Sequence, residues 1–161
     1  MFPAFADYAE ITLDSSSNSS SSSSSKVNVY LLHKVQLFVA ELNYRLSETE
    51  PKLAFRDMDK VTAFADAVLP SVLRHYGVVK YHSKLAHIID SGSPLTNQRM
   101  EAEVRSAAVV ACETIVSHLR ESAASSPPVS AQELCFYLRE VGSTPEMRNL
   151  VRHSSKATVF Y

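Results

Sequence analysis

The feature that most constrains this fold is a long stretch, residues 97–121, in which apolar side chains recur every three or four residues. This spacing places them on one face of an α-helix, and the alanines among them allow close packing of a neighbouring helix. We therefore predict a central helix over residues 97–121. The apolar face consists of Met100, Val104, Ala108, Ala111, Ile115 and Leu119.

Two other stretches have the same periodicity. Residues 27–46 are predicted to form a first helix, and residues 130–141 a last one, which Ser130 and Glu133 begin as a capping box. Gly77, Gly92 and Gly142 each follow an amphipathic stretch. We predict that each glycine ends a helix in the left-handed backbone conformation. The side chains predicted to face the core are Leu31, Val35, Phe38, Leu42 and Leu46 in the first helix and Leu134, Tyr137, Leu138 and Val141 in the last.

Between these helices lies an apolar segment with one carboxylate, Asp66. We predict a helix from a cap at Asp57 or Asp59 to Leu69, followed by another helix with Pro70 in its first turn. Within the first of these helices, Asp66 is predicted to lie opposite the apolar face and in contact with solvent. That apolar face consists of Val61, Phe64, Ala65 and Val68.

These patterns predict one mainly α, compact domain of five to six helices. A short C-terminal strand is expected at residues 157–161. Ser15 to Ser25, interrupted only by Asn18, form a tract with too little apolar surface to offset the entropy of ordering it. We predict that this tract is a disordered insertion in a surface loop.

The composition excludes several classes of function. With 16 Lys and Arg against 17 Asp and Glu, no broad basic surface for nucleic acid or an anionic membrane is expected. The longest apolar runs fall short of the roughly 20 residues of a membrane span, so we predict a soluble, cytoplasmic protein. Cys112 and Cys135 are predicted to be reduced, and the histidine spacing is not typical of zinc sites. No metal or cofactor is predicted.

The tripeptide Phe64-Ala65-Asp66, followed by Pro70, resembles the phenylalanine-alanine-aspartate signature of the queuosine salvage proteins, which release queuine from queuosine 5'-phosphate. The resemblance spans nearly the whole chain but only about the C-terminal half of a family member. Residues 1–161 are therefore expected to be the C-terminal portion of such a domain. Other stretches that resemble the family at matching separations are Phe2-Pro3 with Phe5 and Asp7, residues 34–42 and residues 101–105.

The resemblance implies hydrolysis of the N-glycosidic bond of queuosine 5'-phosphate, which supplies queuine for tRNA modification. Asp66 matches the family's catalytic aspartate, and Phe64, Ala65, Lys34 and Cys135 are implied to bind substrate. The implied partner is thus a small nucleotide, with no direct contact to nucleic acid. The reaction passes through an oxocarbenium-like state, which a carboxylate beside the anomeric carbon stabilises.

Several residues depart from the family pattern. Ala67 and Val68 stand where tyrosine and arginine follow the aspartate, and His33 replaces the first of two adjacent basic residues. Cys135 replaces a carboxylate, and Arg139 replaces a tryptophan. These departures leave open a catalytically inactive truncated paralogue or a helical interaction module. A cysteine nucleophile at Cys135 with a remote histidine is a further alternative, although a small buried hydrophobe fits that position better.

Overall fold

The longest element is a 25-residue helix, Gln98–Ser122, which confirms the predicted central helix. The computed structural model describes residues 7–14, 24–122 and 129–155. Two short 3-10 helices, Pro51–Leu53 and Met58–Lys60, occur within these ranges. The predicted mainly α fold is confirmed. The strands and α-helices are β1 (Tyr8–Asp14), β2 (Ser24–Tyr30), α1 (His33–Leu46), α2 (Val68–His75), α3 (Ser83–Asp90), α4 (Gln98–Ser122) and α5 (Ala131–Val141).

The core forms where α2, α4 and α5 meet. Helix α4 contacts both of these helices and also β1. It buries Val104, Ala108, Cys112 and Val116, which lie four residues apart along one ridge of the helix. The predicted apolar face therefore matches the buried face in the N-terminal half of α4. In the C-terminal half the two faces differ, and Leu119 is exposed.

A β-hairpin, which the sequence pattern does not predict, precedes α1. Its strands pair antiparallel, with Tyr8 opposite Tyr30. Ala9 is buried between exposed neighbours, as is typical of a strand with one face in the core. An alternation this short is too weak a pattern to predict a strand from the sequence. Residues 15–23 lie outside the described residues, whereas Ser24 and Ser25 belong to β2. The second strand therefore begins inside the serine tract.

Helix α1 begins later than predicted and turns a different face to the core. Residues 27–30 of the predicted helix belong to β2, and α1 starts at His33. No member of its predicted apolar stripe is fully buried, and Phe38 is 58% exposed. The buried residues are His33 and Ala40, and Leu37 packs against the core between them. Because α1 is apolar on two sides, periodicity alone does not identify the buried one.

Residues 61–67, before α2, are not helical, so the predicted helix ending at Leu69 is wrong. The Oε1 atom of Gln36, on α1, accepts hydrogen bonds from the backbone N–H and the hydroxyl of Thr62, both at 3.0 Å. These bonds satisfy polar groups that a helix would otherwise satisfy internally. Helix α2 instead begins at Val68, and Pro70 lies in its first turn as predicted.

The three glycines end their helices in two different ways. Gly77 and Gly92 adopt φ angles of 73° and 71°, which confirms the predicted left-handed ends. Gly142 has φ −65°, so a left-handed end is wrong there. A Cβ atom on Gly142 would come within 2.9 Å of Cγ2 of Val72 and closer still to Cγ1 of Val68. Gly142 thus allows the end of α5 to approach α2.

We expect Gly142→Ala to lower the free energy of unfolding by about 1–3 kcal/mol, because the added methyl group must displace side chains of α2. Urea unfolding of the two proteins measures this loss. Val68→Ala removes the nearer obstacle, so the double variant should lose less than the sum of the single variants. Strictly additive losses would show that crowding against Val68 is not the cause.

The predicted C-terminal strand, residues 157–161, lies outside the described residues. Just before it, Ser155 forms an isolated parallel bridge with Leu95. The N–H of Leu95 donates to the carbonyl of Ser154 at 2.6 Å. Residues 154 and 155 therefore pair with the segment that leads into α4.

Candidate active site

Asp66 is buried, with 5% of its surface exposed, so the prediction of a solvated surface aspartate is wrong. It lies where this non-helical segment joins α2. Its Oδ1 atom accepts hydrogen bonds from the N–H groups of Val68 and Leu69, at 2.9 and 3.0 Å. The carboxylate therefore caps the first turn of α2, where the helix dipole also favours negative charge.

The other carboxylate oxygen of Asp66 faces a cation from α5. Arg139 donates a hydrogen bond from Nη1 to Oδ2 of Asp66. Its guanidinium carbon lies 6.0 Å from the centre of the Phe64 ring, and its side chain is 28% exposed. Sequence reasoning gives Arg139 no role, because an arginine on an amphipathic helix usually points to solvent. The fold brings it to Asp66 across 73 residues.

A second, fully buried ion pair lies behind Asp66. Arg105, on α4, donates from Nη1 and Nη2 to the two carboxylate oxygens of Asp7, at 2.8 and 2.5 Å. Its Nε donates to the carbonyl of Ala65 at 2.8 Å. The stretches that carry Asp7 and Arg105 both enter the family resemblance, but neither residue is predicted to pair with the other. The pair holds the backbone of the residue before Asp66.

Asp7 also fixes the start of α1. Its Oδ2 atom accepts the N–H of His33 at 3.0 Å, and its backbone carbonyl accepts those of Leu31 and Leu32. Leu32 has φ 49°, a left-handed conformation that is rare for a branched side chain and that turns the chain from β2 into α1. One aspartate thus joins the hairpin, α1 and, through Arg105, the segment that carries Asp66.

His33 is buried beside this junction, and its ring centre lies 6.2 Å from that of Phe64. Burial lowers the pKa of His33, although the negative charge of Asp66 acts in the opposite direction. Its Nδ1 atom has no hydrogen-bond partner within the described parts of the chain. The imidazole is therefore neutral near pH 7 and lies on the α1 side of the Asp66 region.

The predicted substrate-binding residues lie at different depths. Phe64, Ala65 and Cys135 are all at most 2% exposed, whereas Lys34 is half-buried at the start of α1. The thiol of Cys135 donates to the carbonyl of Phe64 at 3.5 Å, and burial raises the pKa of Cys135 to about 12. A thiol with this pKa stays protonated, which disfavours the cysteine-nucleophile alternative.

Aromatic rings connect the Asp66 region to an open groove. The ring centre of Phe136 lies 5.1 Å from that of Phe64 and 5.9 Å from that of Tyr44. Tyr44 and Phe136 both line a groove of about 500 Å³ between α1 and α5. Aromatic rings in its lining suit a planar heterocycle, and polar side chains in the same lining can form hydrogen bonds with one. The other lining residues are Ala40, Glu41, Asn43, Arg45, Gln132, Glu133, Tyr137 and Glu140.

His153 is a second buried imidazole, which sequence reasoning does not single out. Burial lowers the pKa of His153 to about 4; the negative charge of Glu101 acts in the opposite direction, and the positive charge of Arg105 lowers the pKa further. In the unfolded chain its pKa is close to 6.5. The folded protein therefore binds fewer protons than the unfolded chain between pH 4 and 6.5, so stability is lost as the pH falls through this range.

We expect the free energy of unfolding to decrease by up to about 3 kcal/mol between pH 7 and pH 4 through His153. Urea unfolding across this pH range measures the slope. His153→Gln should flatten it, whereas His118→Gln, at an exposed position, should leave it unchanged. An equal slope in all three proteins would contradict the assignment to His153.

The described residues contain no group of three or more histidine, cysteine, aspartate or glutamate side chains placed to hold a metal ion. Within the same residues, no helix is both long and apolar enough to cross a membrane.

Comparison with known proteins relates this chain to queuosine salvage proteins. The family model described as "Queuosine salvage protein" matches residues 15–161. A curated relative, "Queuosine 5'-phosphate N-glycosylase/hydrolase" of Sphaerobacter thermophilus, is 31% identical over 135 residues. That alignment covers 80% of this chain and 38% of the relative, so the chain spans less than half of the length of the relative.

Proposed function

This chain belongs to the queuosine salvage protein family, and on that premise we propose that it forms the Asp66 side of a site that hydrolyses queuosine 5'-phosphate. The observation that carries the proposal is the buried carboxylate of Asp66, which is held by the first turn of α2 and flanked by Phe64. The product released for tRNA modification is queuine.

In the proposed reaction, the bond between the base nitrogen and the anomeric carbon of ribose breaks, and the base leaves with the bonding electrons. Oxygen from water then bonds to the anomeric carbon, one proton of that water goes to the base, and ribose 5-phosphate remains. The anomeric carbon carries positive charge during this change. Asp66 stabilises that charge or accepts a proton from the attacking water.

The surroundings of Asp66 support this role. Its capping bonds orient the carboxylate before substrate binds, so little reorganisation is needed during the reaction. Phe64 and Ala65 exclude water on one side, where a charge acts more strongly. Lys34 is proposed to contact the substrate from the start of α1, and Cys135 to support Phe64 from behind through its carbonyl.

We place the 7-deazaguanine-type base toward the groove between α1 and α5. The groove connects to Phe64 through Phe136, and planar rings stack favourably on aromatic side chains. The near-zero net charge of the chain fits a small nucleotide better than direct contact with nucleic acid.

A catalytically inactive paralogue or helical interaction module is the second candidate. One observation favours it, since Arg139 already neutralises Asp66. Under this candidate the chain would neither bind nor hydrolyse the nucleotide.

Release of queuine from queuosine 5'-phosphate, followed by chromatography, distinguishes the two candidates. We would assay the 161-residue chain alone and the same chain joined to the N-terminal portion of a family member. The proposal expects turnover in the joined protein and weak or absent turnover in the chain alone, because orientation of the ribose needs groups beyond this segment. Neither binding nor turnover in the joined protein would support the interaction module.

A further inference from the structure

Arg139 has hydrogen-bonding capacity that the protein does not use. A guanidinium group is a planar fork with several N–H donors. One of them bonds to Asp66, and the side chain of Arg139 reaches no other acceptor among residues 7–14, 24–122 and 129–155. The side chain is 28% exposed and therefore accessible to a ligand. Arg105, by contrast, is 2% exposed and bonded to Asp7 and Ala65.

Asp66 and Arg139 form a pair of opposite charges side by side, and a ribosyl 5-phosphate in the proposed reaction carries the opposite pair. Positive charge develops at its anomeric carbon, while the phosphate at the other end of the sugar is negative. The anomeric carbon would face Asp66, which leaves the phosphate for the neighbouring cation. The positive charge at the anomeric carbon then takes the place of Arg139 beside Asp66. The phosphate takes the place of Asp66 beside Arg139.

We propose that Arg139 is the residue that recognises the 5'-phosphate, and that it exchanges Asp66 for this phosphate when the substrate binds. The inference rests on the function proposed above, since it takes Asp66 as the group facing the anomeric carbon. Arginine suits the exchange because its fork can bind two phosphate oxygens at once, whereas it has one bond to Asp66. The Phe64 ring beside the guanidinium limits the directions in which it moves.

The exchange has a consequence for Asp66. While Arg139 is bound, its positive charge opposes the stabilisation of a cation by the carboxylate. Transfer of Arg139 to the phosphate frees Oδ2 of Asp66, and the bonds from Val68 and Leu69 keep Oδ1 in place. Substrates with the phosphate are therefore favoured over the corresponding nucleosides, which leave the ion pair intact.

Binding of ribose 5-phosphate and ribose to the 161-residue chain, measured by isothermal titration calorimetry, tests this assignment. We expect the phosphorylated sugar to bind more tightly, and Arg139→Gln to weaken its binding by about tenfold to a hundredfold. Arg139→Lys keeps the charge but not the fork and should show an intermediate loss. Arg74→Gln is the matched control, because Arg74 also pairs with an aspartate, Asp90, and its removal changes the net charge equally.

Asp66→Asn separates exchange from simple attraction. The asparagine no longer competes for Arg139, so this variant should bind ribose 5-phosphate at least as tightly as the parent does. Equal affinity of the parent for both sugars, no binding of either, or an Arg139→Gln variant within about twofold of the parent would overturn the proposal. If Arg139 does bind the phosphate but the joined protein releases no queuine, the proposed hydrolysis fails and the phosphate site stands.

Discussion

Asp66→Asn is expected to reduce queuine release by at least about a hundredfold in the chain joined to the N-terminal portion of a family member. The amide keeps the shape of the side chain and an oxygen that can accept the N–H groups of Val68 and Leu69. It removes the negative charge that stabilises the transition state, so turnover should fall far more than substrate affinity. Single-turnover kinetics and equilibrium binding measure the two effects separately.

Asp57→Asn provides the control for this substitution, because Asp57 is an exposed aspartate at the start of a 3-10 helix with no side-chain cap bond. It should leave both turnover and binding unchanged. Thermal unfolding of the Asp66 variant shows whether the fold is retained. Turnover within a few-fold of the parent, in a protein that is folded, would remove Asp66 from the reaction.

The buried pair of Asp7 and Arg105 should have the largest effect on stability. Arg105→Met is expected to lower the free energy of unfolding by about 3–5 kcal/mol, because it leaves the charge of Asp7 buried without its partner. The carbonyl of Ala65 also loses its hydrogen bond. Chemical denaturation measures the loss.

A double variant, Asp7→Asn with Arg105→Met, should lose clearly less than the sum of the single variants, since both charges of the pair are removed together, although Glu101, 3.4 Å from Arg105, also loses a partner. Arg74→Met, which breaks the exposed pair with Asp90, should cost far less than Arg105→Met. Similar losses at Arg74 and Arg105, or additive losses in the double variant, would contradict the importance of the buried pair.

Local patterns predict the elements that depend on near neighbours in the chain. The helix now seen as α4 follows from its apolar spacing, and the capping box at Ser130 and Glu133 forms as predicted, with N–H and carboxylate bonded at 2.8 Å. Pro70 in the first turn of α2 is a similar case. In each instance the deciding interactions span a few residues, so the sequence contains the whole signal.

The buried face of α1 and the non-helical path of residues 61–66 require the tertiary structure. α1 is apolar on two sides, and contacts with the rest of the core determine that Ala40 is buried and Phe38 exposed. This non-helical segment is stabilised by Gln36 from α1 and Arg105 from α4. Helical propensity favours a different structure there, and these distant polar partners outweigh it.

The candidate site shows the same division between local and distant contacts. The sequence alone determined which carboxylate to consider, because Phe64, Ala65 and Asp66 stand together as a motif. The tertiary structure decided the surroundings of that carboxylate, since Arg139 reaches Asp66 across 73 residues and Arg105 reaches Asp7 across 98. Hydrogen bonds and charge interactions depend on distance in space, which the order of residues along the chain does not specify.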